Sequence, residues 1–258
     1  MIRIELSVGA TSDVGAVREA NEDALLADPP VFVVADGMGG HHGGDVASGI
    51  VAEEFVALVG GDFDVAAATE AVRAALARCQ QRILAFAEER SGRAERWYAG
   101  TTAVVAVVVA TEEGPGWLVA NLGDSRAYRF DGRDLHQISV DHSLVQNLLD
   151  AGMITPEEAL VHPERNIVTR ALGGPDDPVP DFFLLPVSAA PRILLCSDGV
   201  NGMLSDAAIQ EVLRREATAP GAADRLVAEA VAAGGHDNAT AVVVDVVGWH
   251  EAEERPVG

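Results

Sequence analysis

Four aspartates in this chain stand where an apolar run meets glycine. Residues 31–35 run into Asp36-Gly37, residues 119–122 into Gly123-Asp124, and residues 193–196 into Ser197-Asp198-Gly199. Asp237 follows Gly234-Gly235-His236 and precedes the apolar run from Ala239. Carboxylates gathered at one end of a set of strands supply only oxygen donors, the set that hard cations such as Mg²⁺ and Mn²⁺ prefer. Glycine at 37 leaves the backbone carbonyl unshielded, so a cation could approach main chain and carboxylate together. Taken alone, residues 31–44 read equally well as a strand ending in an Asp-Gly turn, and His41 and His42 invite a transition-metal reading. The recurrence of the pattern favours a shared oxygen-ligand site at the strand margins.

Positioning such a site requires strands, and the sequence is rich in them. Ile2, Ile4, Leu6 and Val8 alternate with polar residues, the signature of a half-buried strand. Short strands are expected near Ala24 to Ala27 and Val31 to Ala35, joined antiparallel through Asp28-Pro29-Pro30. Further strands are expected at Thr101 to Ala110, Trp117 to Asn121, Ser125 to Phe130, Asp134 to Ile138, Phe182 to Val187, Ile193 to Cys196 and Ala239 to Val247. Asp131-Gly132 offers a hairpin turn. Val46, Ile50, Val51, Phe55 and Leu58 recur at helical spacing, and a second helix is expected over Val65 to Glu89 with Asp64 as its N-cap. The SGRAER stretch at 91–96 reads as a loop. Two more helices are expected over 205–216 and 219–233. Strands, two helices, many strands, two helices and a strand do not alternate as a doubly wound sheet does. The order fits an α+β domain of packed antiparallel sheets with helices outside, one domain over residues 1–248 and a polar tail at 249–258.

Composition narrows the function classes. The 258 residues are 48% hydrophobic, which excludes a largely disordered chain, and the formal charge of −22 argues against broad binding to nucleic acid or anionic membrane. The two cysteines, Cys79 and Cys196, lie in apolar surroundings with no metal-ligand spacing and no disulfide framework. No signal core and no run of roughly 20 apolar residues is present, so a cytoplasmic protein is expected.

The motifs, taken together, resemble the bacterial metal-dependent protein phosphatases of the protein phosphatase 2C family. They are Gly9 to Gly15 with Arg18 and Asn21-Glu22-Asp23, Asp36-Gly37-Met38-Gly39-Gly40-His41, Gly100-Thr101-Thr102 and Gly123-Asp124-Ser125-Arg126. His162 to Asn166, Ser197-Asp198-Gly199 and Asp237-Asn238-Ala239-Thr240 complete the series, in the family's order over nearly the whole chain. The resemblance implies a sandwich of two antiparallel sheets flanked by helices, with a binuclear Mn²⁺ or Mg²⁺ site at one edge. Asp36 would bridge both ions; the Gly37 carbonyl, Asp198 and Asp237 would complete the direct ligands. Glu22 would reach an ion directly or through water, and Asp124 would help hold a third, weaker ion. Asp23 and Asn238 would orient these ligands from behind.

The implied reaction is hydrolysis of phosphoserine or phosphothreonine by a water activated between two cations, with Arg18 gripping the phosphate through its planar fork. A cysteine-type phosphatase would need arginine six residues beyond its nucleophile, where this chain has Ala85 and Gly202. The histidine-rich signature of calcineurin-type enzymes is also absent. Eukaryotic family members carry histidine where Met38 stands, and His41 and His42 are not expected to be essential. Ala20, Asp45 and Val200 are small departures that remove no ligand. Residues 141–172 match the family's flap, with Val145, Leu148, Leu149 and Met153 as its candidate apolar face. Two alternatives stay open: a silent module that binds a phosphoprotein or ligand, and a phosphatase specific for a sigma-pathway regulator. The expected partners are phosphorylated proteins, a serine/threonine kinase and its substrates, met by a monomer.

Overall fold

The computed structural model describes residues 2–39, 43–91 and 98–251, so His41, His42, most of the 91–96 loop and the end of the tail lie outside the described residues. Eleven strands are present among those residues: β1 (Ile2–Asp13), β2 (Asp23–Asp28), β3 (Val31–Met38), β4 (Gly100–Thr101), β5 (Ala103–Thr111), β6 (Gly114–Leu122), β7 (Arg126–Phe130), β8 (Leu135–Gln137), β9 (Asp181–Pro186), β10 (Arg192–Cys196) and β11 (Ala239–Glu251). They form two antiparallel sheets. One has the order β1-β11-β10-β7-β8, the other β2-β3-β5-β6-β9, with the short β4 added to the end of β3.

The sheets pack face to face. Phe32, Val34, Trp117, Val119, Ile193, Leu195, Val242 and Val244 fill the space between them. Phe32 meets Trp117 edge-on with ring centroids 6.0 Å apart, a geometry favoured by the ring quadrupoles. The outer faces are covered too. Helices α1 (Gly43–Phe55) and α2 (Val65–Arg90) press Phe55, Val72, Leu76 and Ile83 onto Val33, Ala35, Val105 and Val107. Helix α2 begins where expected, with the Asp64 carboxylate accepting from Ala67 N at 2.7 Å, a cap worth about 1 kcal/mol. Two short helices, α3 (Leu144–Asp150) and α4 (Pro156–Leu160), lie between β8 and β9. On the other side α5 (Asp198–Asn201), α6 (Asp206–Arg215) and α7 (Ala219–Ala232) cover the first sheet. Strands buried on both faces read as continuous apolar runs, which is why 31–35 and 103–107 show no alternation.

Three expectations need correction. The first concerns β3, which does not stop at Asp36. It continues to Met38 because β4 supplies partners, Gly37 opposite Thr101 and Met38 opposite Gly100. The second is the final strand, which runs past Val247 to Glu251 because β1 begins at Ile2 and pairs along its whole length. The expected tail therefore starts inside a strand. The third is β6, which begins at Gly114 rather than Trp117. Pro115 is tolerated there because β9 pairs only from Gly116 onward. Both cysteines are buried and free, and burial pushes each thiol up to about 12, which keeps them protonated. No described helix is long and apolar enough to cross a membrane.

Candidate active site

Asp36 is fixed through its backbone on both sides. Its N–H donates to Thr102 Oγ1 at 3.0 Å, while its carbonyl accepts from Thr101 Oγ1 and from Thr102 N, each at 2.9 Å. The Gly100-Thr101-Thr102 motif thus has a physical role: its two fully buried threonines hold Asp36 in place. Gly37 is demanded by packing. A Cβ there would lie 2.3 Å from Gly44 O and 2.4 Å from Glu22 O, so the start of α1 and the 14–22 loop close directly on the strand.

The other acids arrive from separate segments. Asp198 opens α5, immediately after β10, and a Cβ on the following Gly199 would come within 1.9 Å of Asn238 O. That close approach brings Asp198 beside the Asp237-Asn238 turn. Asn238 then organises the loop carrying Arg18 and Glu22. Its amide donates to the carbonyls of Val14 and Ala20, and its carbonyl oxygen accepts from Glu22 N, at 2.8–2.9 Å. Asp23, opposite Asp36 in the β2–β3 ladder, accepts from Ser197 Oγ and Thr240 Oγ1, both at 2.7 Å. It therefore supports the residues beside Asp198 and Asp237 from behind. Asp124 follows Gly123 in the turn after β6. Ser125 next to it shares a 2.7 Å hydroxyl contact with Thr102, which ties this turn to Asp36.

The charges of these groups act on one another. Asp36 is pushed well above the ordinary carboxylate range by loss of water, then by the charges of Asp198, Asp23, Asp124 and Asp237. Burial, followed by Asp198 and Asp141, raises Asp124 to about 7. Burial also raises Asp23 to about 6, against the opposing hydrogen bonds from Thr240 and Ser197. Asp198 is raised by burial and Asp237, and held back by a hydrogen bond with Asp36 and by the charges of Arg18 and Arg126. Each of these residues keeps some accessible surface. Two like charges 4 Å apart repel by about 4 kcal/mol at an effective dielectric of 20. Five acids in this arrangement are therefore strongly uncomfortable without cations.

Sequence comparison identifies the family. Residues 16–232 match the family model described as protein phosphatase 2C. The chain belongs to the protein phosphatase 2C family. It is 36% identical over 260 residues to the serine/threonine protein phosphatase PstP of Mycobacterium tuberculosis, a match covering 99% of this chain and 48% of PstP. This chain thus spans about half the length of that relative. It is 34% identical over 247 residues to the serine/threonine phosphatase stp of Listeria monocytogenes, covering 91% of this chain and 93% of that protein. Among solved structures, the catalytic domain of PstP in complex with two manganese ions superposes with a TM-score of 0.78 and 37% identity. That match covers 94% of this chain and 99% of the PstP domain.

The protein phosphatase 2C fold here offers a donor set that fits hard divalent cations: carboxylates and a main-chain carbonyl, with no thiol or described imidazole among them. Among the described residues no three acid, imidazole or thiol groups already close around one point as a finished coordination sphere. Asp237 is held instead by a 2.6 Å pair between Arg18 Nη2 and its Oδ2. Arg18, expected to face phosphate, is 48% exposed and leans on an expected metal ligand instead. Glu22 projects its carboxylate toward Gly44 at the start of α1, within 3.0 Å of where a Cβ on that glycine would stand.

Several functional supports carry little signal in the sequence. Arg126 is gripped bidentately by Asp141 at 2.7 and 2.9 Å. His142, the next residue, holds Gly123. Neither Asp141 nor His142 stands out among the polar residues of a connecting segment. Thr101, Thr102, Ser197 and Thr240 are fully buried, and hydroxyls inside apolar strand runs are the clue that could have found them. The flap packs loosely: Val145, Leu148 and Leu149 are half-buried, and Met153 is 70% exposed.

Proposed function

We propose that this chain is a metal-dependent protein serine/threonine phosphatase acting on phosphoserine and phosphothreonine in proteins. The observation that carries the reading is the gathering of four acids from separate segments, Asp23, Asp124, Asp198 and Asp237, around Asp36, with Asp23 opposite it in the ladder and the Asp124 turn tied to it through Ser125 and Thr102. Asp36, Asp198, Asp237 and the Gly37 carbonyl would hold two Mn²⁺ or Mg²⁺ ions, with Glu22 beside them and Asp124 toward a third. When bound, such ions supply a hydroxide-like nucleophile near neutral pH and neutralise charge on the phosphoryl oxygens.

The chain's own residues do the rest. Ligation by Asp237 would release the Arg18 guanidinium, already half-exposed, to take two phosphate oxygens in its planar fork. Asp23, Thr102 and Asn238 keep the carboxylates aimed while the load on them changes. The manganese-bound PstP domain supports the choice of metal. The natural partners would be phosphorylated proteins, a serine/threonine kinase and its substrates, with the chain acting in the cytoplasm as a monomer and residues 1–248 forming one catalytic domain.

The direct test is hydrolysis of a phosphothreonine peptide. Release of phosphate with Mn²⁺ or Mg²⁺, and none in excess chelator, is the expected result. Undiminished hydrolysis in chelator would end the metal-dependent reading. No hydrolysis with either metal, alongside tight binding of the phosphopeptide, would support the silent module instead.

A further inference from the structure

His142 is buried, lies outside the acid cluster, and takes no part in the chemistry above. It nevertheless holds both main-chain groups of the residue before Asp124. Gly123 N donates to His142 Nδ1 at 3.1 Å, and His142 N donates to Gly123 O at 2.9 Å. An imidazole that accepts at Nδ1 carries its proton on Nε2. That nitrogen stands 3.1 Å from Asp181 Oδ2, so it donates to the carboxylate. Arg170 Nη1 lies 3.2 Å from the same nitrogen and 3.4 Å from Asp181 Oδ1; in this tautomer its partner is the carboxylate.

The turn that His142 grips has little other freedom. Gly123 has φ +118, and a Cβ there would come 2.5 Å from Thr102 Cγ2, so the turn lies flat against the threonine that holds Asp36. Asn121 Nδ2 also donates to Gly123 O, at 3.1 Å. The peptide groups flanking Gly123 determine where the next side chain points. From this arrangement we infer that His142 is a positioning residue for Asp124, with Asp181 fixing its tautomer and ring orientation. The same carboxylate–imidazole logic steadies ligands in many metal sites. The inference rests on the proposed cation-binding role of Asp124.

The experiment is calorimetric titration of Mn²⁺ into the metal-free chain and into three variants: Asp124→Asn, His142→Ala and His142→Asn. Asp124→Asn defines the binding step that depends on Asp124. His142→Ala is expected to weaken that step about 10–100-fold and leave the other steps within about threefold. His142→Asn places an amide oxygen near the Nδ1 position, can still accept from Gly123 N, and should recover most of the lost affinity. A residue serving only the core would shift the melting temperature without this selective loss and rescue. If His142→Ala leaves the Asp124-dependent step unchanged, or weakens every step alike, the positioning role is overturned and the role of Asp124 stands. If Asp124→Asn itself leaves the isotherm unchanged, both fall.

Discussion

The floor of the acid cluster and the two short helices of the expected flap at 141–172, α3 and α4, are built in opposite ways. In the floor, polar side chains are buried and paired: Thr101, Thr102, Ser125, Ser197 and Thr240 are fully enclosed, and each makes at least one hydrogen bond across strands. In the flap, α3 buries no side chain and α4 buries only Ala159. Leu160 and Val161 are 77% and 78% exposed. A buried hydroxyl that loses its partner costs about 1–3 kcal/mol, so the floor resists change; few buried contacts mean the flap opens cheaply. The contrast teaches a division of labour, in which the proposed chemistry sits on the more fully buried and hydrogen-bonded part of the fold.

The largest break of that contrast is Asp36→Asn. Phosphatase turnover should fall more than about 100-fold, since losing the proposed central ligand must exceed the 10–100-fold typical of a residue behind one. The chelated protein should still fold, because the change removes a crowded, poorly hydrated charge. A variant with near-normal kcat would place the chemistry elsewhere.

Thr102→Val keeps the shape and removes the hydroxyl that accepts from Asp36 N and pairs with Ser125. Turnover should drop about 10–100-fold and stability by about 1–3 kcal/mol, read from kcat and urea unfolding. Loss of stability without loss of turnover would mean that the threonine serves packing alone.

A third prediction concerns pH. Asp23 and Asp124 have folded values of about 6 and about 7 against an ordinary 3.8. The unfolded chain releases these protons first, so their contribution to stability is full below about pH 4 and is lost as pH rises through 6 and 7. In chelator, melting temperature should therefore fall across this window more steeply for the natural chain than for Asp124→Asn. Parallel slopes would show that the crowding is relieved in solution. Saturating Mn²⁺ should flatten the natural chain's curve.

The smallest effect is expected from the flap. Met153→Ser and Leu160→Ser should change unfolding free energy by no more than about 0.5 kcal/mol, as for surface positions generally. Hydrolysis of a small aryl phosphate should be unchanged, while KM for a phosphoprotein rises. Equal effects on both substrates would remove the flap from protein recognition.

Much of this was legible in the sequence, for physical reasons that differ by residue. The buried strands announced themselves because two covered faces leave continuous apolar runs, and Asp64 marked a helix start by capping chemistry that acts locally. Asp36, Asp198 and Asp124 were visible because each adjoins glycine at the end of such a run, and Asp237 because it stands between a glycine pair and the start of another. What the chain alone hid depends on distant partners. β3 passes beyond Asp36 only because β4 pairs with it some 60 residues later, and β11 reaches Glu251 because β1 is equally long. The reason for Gly37 was also hidden, since the backbone it must admit comes from Glu22 and Gly44. Arg18 leaning on Asp237 joins residues at opposite ends of the chain. His142 and Asp141 gain meaning only from the turn they hold.

The central claim is that these acids form a site for divalent cations organised around Asp36. Titrating Mn²⁺ into the metal-free natural chain and into Asp36→Asn, followed by calorimetry, tests it most directly. The account predicts about two tightly bound ions per natural chain and loss of that tight binding in the variant. Equal tight binding by both would contradict it.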